Sequence, residues 1–208
     1  MAMSPEWAIS WAWLAWILSW FAAASWAYAP MRRAGAASEI PYFVLTFVGF
    51  ALLFSTHGDD GRQMSNFARG GYEAVKFWSV GLVGGWVLFG VVVAGFAFCW
   101  WARLALGRLW SGRITLKPGH RVVDTGPYGL VRHPIYTGII LAALGTALQK
   151  GTALSLAGVA VVTFGFWIKA RMEERFLRTE LGVEAYDAYA RRVPMLVPAL
   201  LPRASRNS

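Results

Sequence analysis

The sequence predicts an all-α integral membrane protein with about five transmembrane helices. Hydrophobic residues make up 57% of its 208 residues and charged residues only 15%, which is too apolar for a water-soluble domain of this size. The apolar residues form long blocks, and most basic residues lie between these blocks. We therefore expect one membrane domain over residues 1–208.

A helix that crosses a bilayer needs about 20 mostly apolar residues, at about 1.5 Å per residue. Five stretches approach this length, at residues 7–28, 40–56, 75–106, 135–149 and 153–168. The third is long enough to tilt or to project beyond the membrane. The last two are short and are joined by a tight turn at residues 150–152, so we expect a buried helical hairpin over residues 134–168.

The distribution of Lys and Arg predicts the topology, because loops on the cytoplasmic side accumulate positive residues. With the N-terminus outside, all but four of the 20 Lys and Arg residues lie on the inner side, and the four are Arg62, Arg69, Lys76 and Lys150. We therefore predict an external N-terminus and a cytoplasmic C-terminus. The same rule explains the net charge of +9 through contact with anionic lipid head groups.

The sequence argues against a nucleic-acid partner, a disulfide within the chain and a metal site. Basic residues interleaved with aromatic ones, which single-stranded nucleic acids require, do not form a stripe, so we expect no nucleic-acid partner. The single Cys99 cannot form a disulfide within the chain. His57 lies beside Asp59 and Asp60 in an outer loop, but these residues alone make a poor metal site, and we expect no metal.

Tryptophan is concentrated in the first predicted span. Six of the 12 tryptophans lie there, namely Trp7, Trp11, Trp13, Trp16, Trp20 and Trp26. Their spread along the whole span argues against a simple interfacial belt. We interpret them as packing or lipid-contacting residues rather than as a surface on which a cofactor stacks.

The chain divides into three scaffold spans over residues 1–110, a C-terminal module over residues 111–198 and a tail over residues 199–208. In the module, Pro134 suits the first turn of a helix, so the fourth span is predicted to begin there. Arg132 and His133 would then lie at a helix N-terminus, where unpaired N–H groups and the helix dipole favour an anion.

The fifth span is predicted to return antiparallel and to continue past Lys169 as a charged helix through Glu173 and Glu174. The midpoint between Arg132 and Glu173 falls at the hairpin turn, so folding there brings the carboxylates level with the cationic helix start. Each feature alone is typical of a membrane anchor or a solvated helix. Together they predict a polar pocket that suits a zwitterion.

The predicted pocket lies close to the membrane. A fourth span of 16 residues is about 24 Å long, shorter than the hydrocarbon core of about 30 Å, so the pocket is expected to sink slightly into the bilayer, within reach of a lipid. After the carboxylates, Gly182 is predicted to end the fifth helix. Tyr186 and Tyr189 share one face of a short amphipathic helix, where stacking on an aromatic base and packing against the membrane surface are both open.

The order of these motifs resembles the isoprenylcysteine carboxyl methyltransferase family and its phospholipid methyltransferase relatives. The motifs are Gly126-Pro127-Tyr128, then Val131-Arg132-His133-Pro134-Ile135-Tyr136, then Glu173-Glu174, then Leu181-Gly182 with Tyr186 and Tyr189, and finally residues 193–198. The likeness covers residues 111–198. Five spans and this length resemble compact prokaryotic members, which implies a prokaryotic cytoplasmic membrane with the active site facing the cytoplasm.

The resemblance implies an S-adenosylmethionine site enclosed by the C-terminal module, with separate access for a lipid from the membrane. It implies that Arg132 and Glu174 lie nearest the chemistry as the catalytic residues. The candidate cofactor-binding residues are Tyr128, Val131, His133, Pro134, Tyr136, Glu173, Tyr186 and Tyr189.

Methyl transfer from a sulfonium is an in-line displacement, so the protein has mainly to align two reactants and exclude water. A carboxylate acceptor is already ionised at neutral pH and needs no strong base. We therefore predict methylation of the carboxylate of an isoprenylcysteine-like lipid. Phospholipid amines and small thiols are the alternative acceptors, and for these His133 or Glu174 would serve as the base.

Two other classes of protein stay open. Membrane sterol reductases are similar to this family in their C-terminal half and bind NADPH there, but they usually have more spans. A non-catalytic protein that keeps the module as a scaffold is the other alternative, and the intact Arg-His-Pro and Glu-Glu motifs count against it.

Overall fold

A computed structural model describes residues 3–33, 35–55 and 76–199, and these residues form a bundle dominated by helices. The helices are α1 (Pro5–Ala22), α2 (Ala36–Phe54), α3 (Leu82–Leu106), α4 (Pro127–Leu130), α5 (Pro134–Lys150), α6 (Ala153–Leu181) and α7 (Val183–Arg192). Two short strands, β1 (Arg32–Arg33) and β2 (Thr115–Leu116), pair antiparallel. The predicted outer loop with His57, Asp59 and Asp60 lies outside the described residues, as does the tail from residue 200 onward.

Each of the five predicted stretches contains a helix, but the helices differ in length. Three stretches in the described part of the chain are long and apolar enough to cross a membrane, at Pro5–Trp26, Leu82–Leu109 and Ala153–Leu181. The apolar part of α2 is shorter, at Ser38–Phe54, and α5 has 17 residues. An all-α membrane fold is therefore supported, while the count of five spans stays a prediction.

Two predicted helix bounds are wrong. α1 ends at Ala22 and continues only as a single 3-10 turn to Trp26, so residue 28 lies beyond the helix. α3 begins at Leu82 rather than near residue 75, because Lys76 forms a β-bridge with Thr152 and the N–H of Phe77 donates to the carbonyl of Gly151 at 2.7 Å. These bonds hold the chain extended beside the α5–α6 turn.

The two helices of the hairpin, α5 and α6, contact each other, but each packs more extensively against another helix of the bundle. α5 packs chiefly against α3, and α6 chiefly against α2. Glycines permit this close approach: a Cβ on Gly95 of α3 would lie 2.6 Å from the carbonyl oxygen of Gly138 on α5, and a Cβ on Gly158 of α6 would lie 2.7 Å from that of Gly49 on α2. The predicted hairpin is therefore present, but each arm has a different main partner.

The segments that the charge distribution placed on one side of the membrane meet at one end of the bundle. β1 pairs with β2, and Arg32 also forms an ion pair with Glu180 at 2.8 Å. At the other end, the side chain of Gln149 donates to Glu6 at 2.7 Å. This grouping agrees with the predicted topology, and the end that faces the cytoplasm stays a prediction.

Candidate functional site

The start of α5 and the charged part of α6 meet, as the hairpin argument predicts. The guanidinium of Arg132 donates to Glu174 through Nε at 2.7 Å and through Nη2 at 3.3 Å. His133 Nε2 lies 3.0 Å from the same carboxylate. The side chains of Arg132 and Glu174 are only 11% and 13% exposed, so this is a largely buried ion pair.

Arg132 also forms hydrogen bonds with the end of α7 and with the segment that follows it. Its Nη1 donates to the carbonyls of Ala190 at 2.9 Å and Val193 at 2.6 Å. The backbone N–H groups of Arg132 and His133 donate to the carbonyls of Pro194 and Met195. The segment after α7 therefore occupies the N–H groups of the two residues before α5, and the anion site at this helix start stays a prediction.

The second carboxylate of the pair has a different environment. Glu173 accepts a hydrogen bond of 2.6 Å from the hydroxyl of Tyr136, and its side chain is 28% exposed. The ring of Tyr136 stacks between His133 and Phe166, with centroid distances of 5.2 and 4.9 Å. Glu173 is thus held by a neutral donor, whereas Glu174 neutralises Arg132.

These residues border a cavity of about 290 Å³ between the start of α5, α6, α7 and the segment that precedes α4. Most of the predicted site residues line it, namely Tyr128, Arg132, His133, Tyr136, Glu173, Tyr186 and Tyr189. Val131, Pro134 and Glu174 are not among the lining residues. Val131 and Pro134 are fully buried, so they pack behind the wall, and Glu174 holds Arg132 and His133 from outside the cavity.

The two tyrosines of α7 belong to the protein interior. Tyr186 and Tyr189 are each 4% exposed and meet edge to face, at a centroid distance of 6.1 Å. Tyr189 donates its hydroxyl to the carbonyl of Tyr128 at 2.8 Å. Burial raises the pKa of both phenols, so both stay protonated. Packing against the membrane surface is therefore wrong for this pair.

Sequence reasoning missed much of the opposite wall. Trp20 of α1 and several residues between α3 and α4, including Trp110 and His120, also line the cavity. The ring of Trp110 packs against Trp20 and lies 3.6 Å from the guanidinium carbon of Arg103. The segment between α3 and α4 is largely irregular, so its sequence lacks the periodicity that would have placed it. Trp20 lines the cavity, although the sequence indicates only packing or lipid contact for the tryptophans of this span.

His120 is the only imidazole besides His133 among the described residues of this wall. The backbone N–H of Lys117 donates to its Nδ1 at 3.4 Å. Burial lowers the pKa of His120 below its usual 6.5; the attraction of Glu173 raises it and the nearby Lys117 lowers it, with burial the largest effect. The ring is therefore neutral at pH 7.

This pKa shift predicts a loss of stability in acid. The unfolded chain takes up a proton at His120 before the folded protein does, so the free energy of unfolding falls as the pH drops below the unfolded value of 6.5. His120→Gln should reduce the decrease in thermal midpoint between about pH 7 and about pH 5.5. Parallel thermal unfolding of both proteins in detergent tests this, and identical pH dependence would contradict it.

A second depression lies on the outer side of α2 and α6. We call it the aromatic groove, and it is lined by Tyr42, Phe43, Thr46, Phe47, Phe50, Phe166 and Lys169. Phe47 is 76% exposed and Phe43 46% exposed, which is expected for side chains that meet lipid rather than water. Phe166 and Lys169 line both the groove and the cavity, so the two spaces adjoin at α6.

The described residues form a bundle of apolar helices with an aromatic-walled cavity at one end, which charged side chains border. Residues 86–179 match the model of the isoprenylcysteine carboxyl methyltransferase (ICMT) family. The match confirms the resemblance to this family that the motifs predicted, and the apolar helices support a membrane location.

Individual relatives agree with the family match. A probable protein-S-isoprenylcysteine O-methyltransferase of Oryza sativa subsp. japonica is 32% identical over 61% of this chain and 65% of the relative. Protein-S-isoprenylcysteine O-methyltransferase B of Arabidopsis thaliana is 33% identical over 47% of this chain and 50% of the relative. Methanethiol S-methyltransferase 2 of Bradyrhizobium diazoefficiens is 42% identical over 36% of this chain and 28% of the relative. The matches thus span less than two thirds of these relatives.

Proposed function

We propose that this protein transfers a methyl group from S-adenosylmethionine, bound in the cavity, to the carboxylate of an isoprenylcysteine-like lipid. The observation that carries the proposal is the composition of the cavity wall. It combines the carboxylate of Glu173, the guanidinium of Arg132 and the buried rings of Tyr186 and Tyr189. An amino acid joined to a nucleoside presents the ammonium, carboxylate and aromatic base that these groups complement.

The residues of the wall would divide the work of binding. Glu173 offers a carboxylate for the ammonium or hydroxyl groups of the donor, and the tyrosine rings offer faces for its base. Glu174 is a positioning residue, because it acts on the ligand through Arg132 and His133. When bound, the donor supplies a methyl group already activated by the positive sulfur. The chain then has only to orient it toward the acceptor and keep water out.

The aromatic groove supports a lipid acceptor. It adjoins the cavity at Phe166 and carries exposed phenylalanines on α2, so an apolar chain could lie there while its head group reaches the donor. The names of the plant relatives, which refer to isoprenylcysteine, favour the same acceptor class. We propose that the site opens toward the cytoplasmic leaflet, on the side to which the basic loops were assigned.

A thiol acceptor is the second candidate. One relative is named methanethiol S-methyltransferase, and this wall contains His133, which the sequence predicts as a candidate base for a thiol acceptor. A carboxylate acceptor needs no such base.

Incubation of the purified protein with methyl-labelled S-adenosylmethionine tests the proposal. The acceptors are N-acetyl-S-farnesylcysteine, a long-chain alkyl thiol and phosphatidylethanolamine vesicles. We expect label in the first as a methyl ester, which alkali releases as methanol. Label confined to the thiol would favour the second candidate, and label in none of the three would contradict the proposed function.

A further inference from the structure

Lys169 lies on α6, one turn before Glu173, at the boundary between the cavity and the aromatic groove. It is the only cation among the described residues that lines both spaces. Its ammonium donates to the carbonyl of Gly112 at 2.8 Å and lies 5.2 and 5.3 Å from the ring centres of Tyr42 and Tyr136. These contacts fix the charge at the point where an amphiphile would pass from lipid to cavity.

Among the residues that the structure describes, no carboxylate lies within ion-pair distance of Lys169, and Glu173 and Glu39 attract it only at longer range. Glu39 is held instead by Arg113 at 2.6 Å and by the N–H of Ile114 at 3.1 Å. Glu173 accepts the hydroxyl of Tyr136. An ammonium has three N–H donors and one is used by Gly112, so Lys169 retains donors for a ligand.

We propose that Lys169 is the specificity-determining residue of the acceptor site. Its ammonium binds the anionic head of an amphiphile whose apolar chain lies in the aromatic groove, and it repels a cationic head. This inference rests on the proposed function and adds the residue that distinguishes acceptors. Carboxylates are thereby favoured over the amine head groups of phospholipids.

The chemistry of the step is consistent with a cation at this place. A carboxylate oxygen forms the new C–O bond to the methyl carbon, the C–S bond breaks, and its electron pair neutralises the sulfonium. No proton moves, so Lys169 is needed only for binding and orientation. A lipid ammonium would have to approach the like charge of Lys169, which Coulomb repulsion disfavours.

Equilibrium binding tests the proposal without depending on turnover. The probes are N-acetyl-S-farnesylcysteine and its carboxamide, which has nearly the same shape without the charge, titrated into the detergent-solubilised protein by calorimetry. We expect the wild type to bind the carboxylate about tenfold more tightly, and Lys169→Met to abolish that preference. Lys169→Arg, which keeps the charge, should retain most of it.

Lys150→Met is the matched control. The ammonium of Lys150 also donates to a backbone carbonyl, that of Ser55 at 2.8 Å, but Lys150 lines neither the cavity nor the groove. This variant should keep the wild-type preference. A wild type that binds neither probe or does not distinguish them, or a Lys169→Met protein that still prefers the carboxylate, would overturn the proposal. Titration of the wild type with S-adenosylhomocysteine reports separately on the donor site. A wild type that prefers the carboxylate probe but does not bind S-adenosylhomocysteine would contradict only the proposed function.

Discussion

Replacement of Glu174 by glutamine is expected to abolish donor binding and to destabilise the protein together. The substitution leaves the guanidinium of Arg132 largely buried without its counter-ion. Breaking a buried ion pair by removing one partner costs about 3 kcal/mol. Arg132 also holds the carbonyls of Ala190 and Val193, so its displacement should loosen the segment after α7.

Thermal unfolding in detergent measures the loss of stability, and calorimetry with S-adenosylhomocysteine measures the loss of donor binding. Glu184→Gln is the control, because Glu184 is an exposed carboxylate on α7 that lies outside the cavity. It should change neither quantity. A Glu174→Gln protein with wild-type thermal stability and donor affinity would show that the ion pair with Arg132 has no part in shaping the site.

Replacement of Glu173 by glutamine should lower the affinity for the donor but leave the stability of the protein almost unchanged. Glu173 lines the cavity, and a glutamine oxygen can still accept the hydroxyl of Tyr136, so stability should change little. Loss of the charge removes a charge-assisted hydrogen bond to the donor, which corresponds to a fall in affinity of about 10-fold to 100-fold.

Calorimetry with S-adenosylhomocysteine measures this change, and thermal unfolding verifies that the variant is folded. Glu180→Gln is a matched control on the same helix, because Glu180 pairs with Arg32 and does not line the cavity. Its donor affinity should equal that of the wild type. Equal loss of affinity in both variants would mean that the charge of α6, rather than Glu173 itself, determines binding.

The sequence predicted the elements whose signals are local. Pro134 begins α5 and Gly182 ends α6 as expected, since one suits the first helical turn and the other has a φ of +98° that glycine adopts without strain. The approach of the two carboxylates to Arg132 followed from counting residues on either side of one turn, although the count does not distinguish Glu173 from Glu174. Such inferences need only short-range geometry.

The rest of the site depends on contacts that no local pattern encodes. The hydrogen bonds from the N–H groups of Arg132 and His133 to the carbonyls of Pro194 and Met195 join residues about 60 positions apart. The wall that contains Trp110 and His120 is largely irregular, and Trp20 reaches it from α1. The difference between Glu173 and Glu174 also follows from tertiary packing, because neighbouring residues on a helix point in different directions.

Calorimetric titration of the wild-type protein with S-adenosylhomocysteine, and in parallel with NADPH, tests the central claim most directly. If the cavity between α5, α6 and α7 is built for a zwitterion joined to a nucleoside, the first ligand should bind at one site per chain and the second should give no heat. Binding of NADPH with none of the adenosyl compound would contradict the account and favour a reductase.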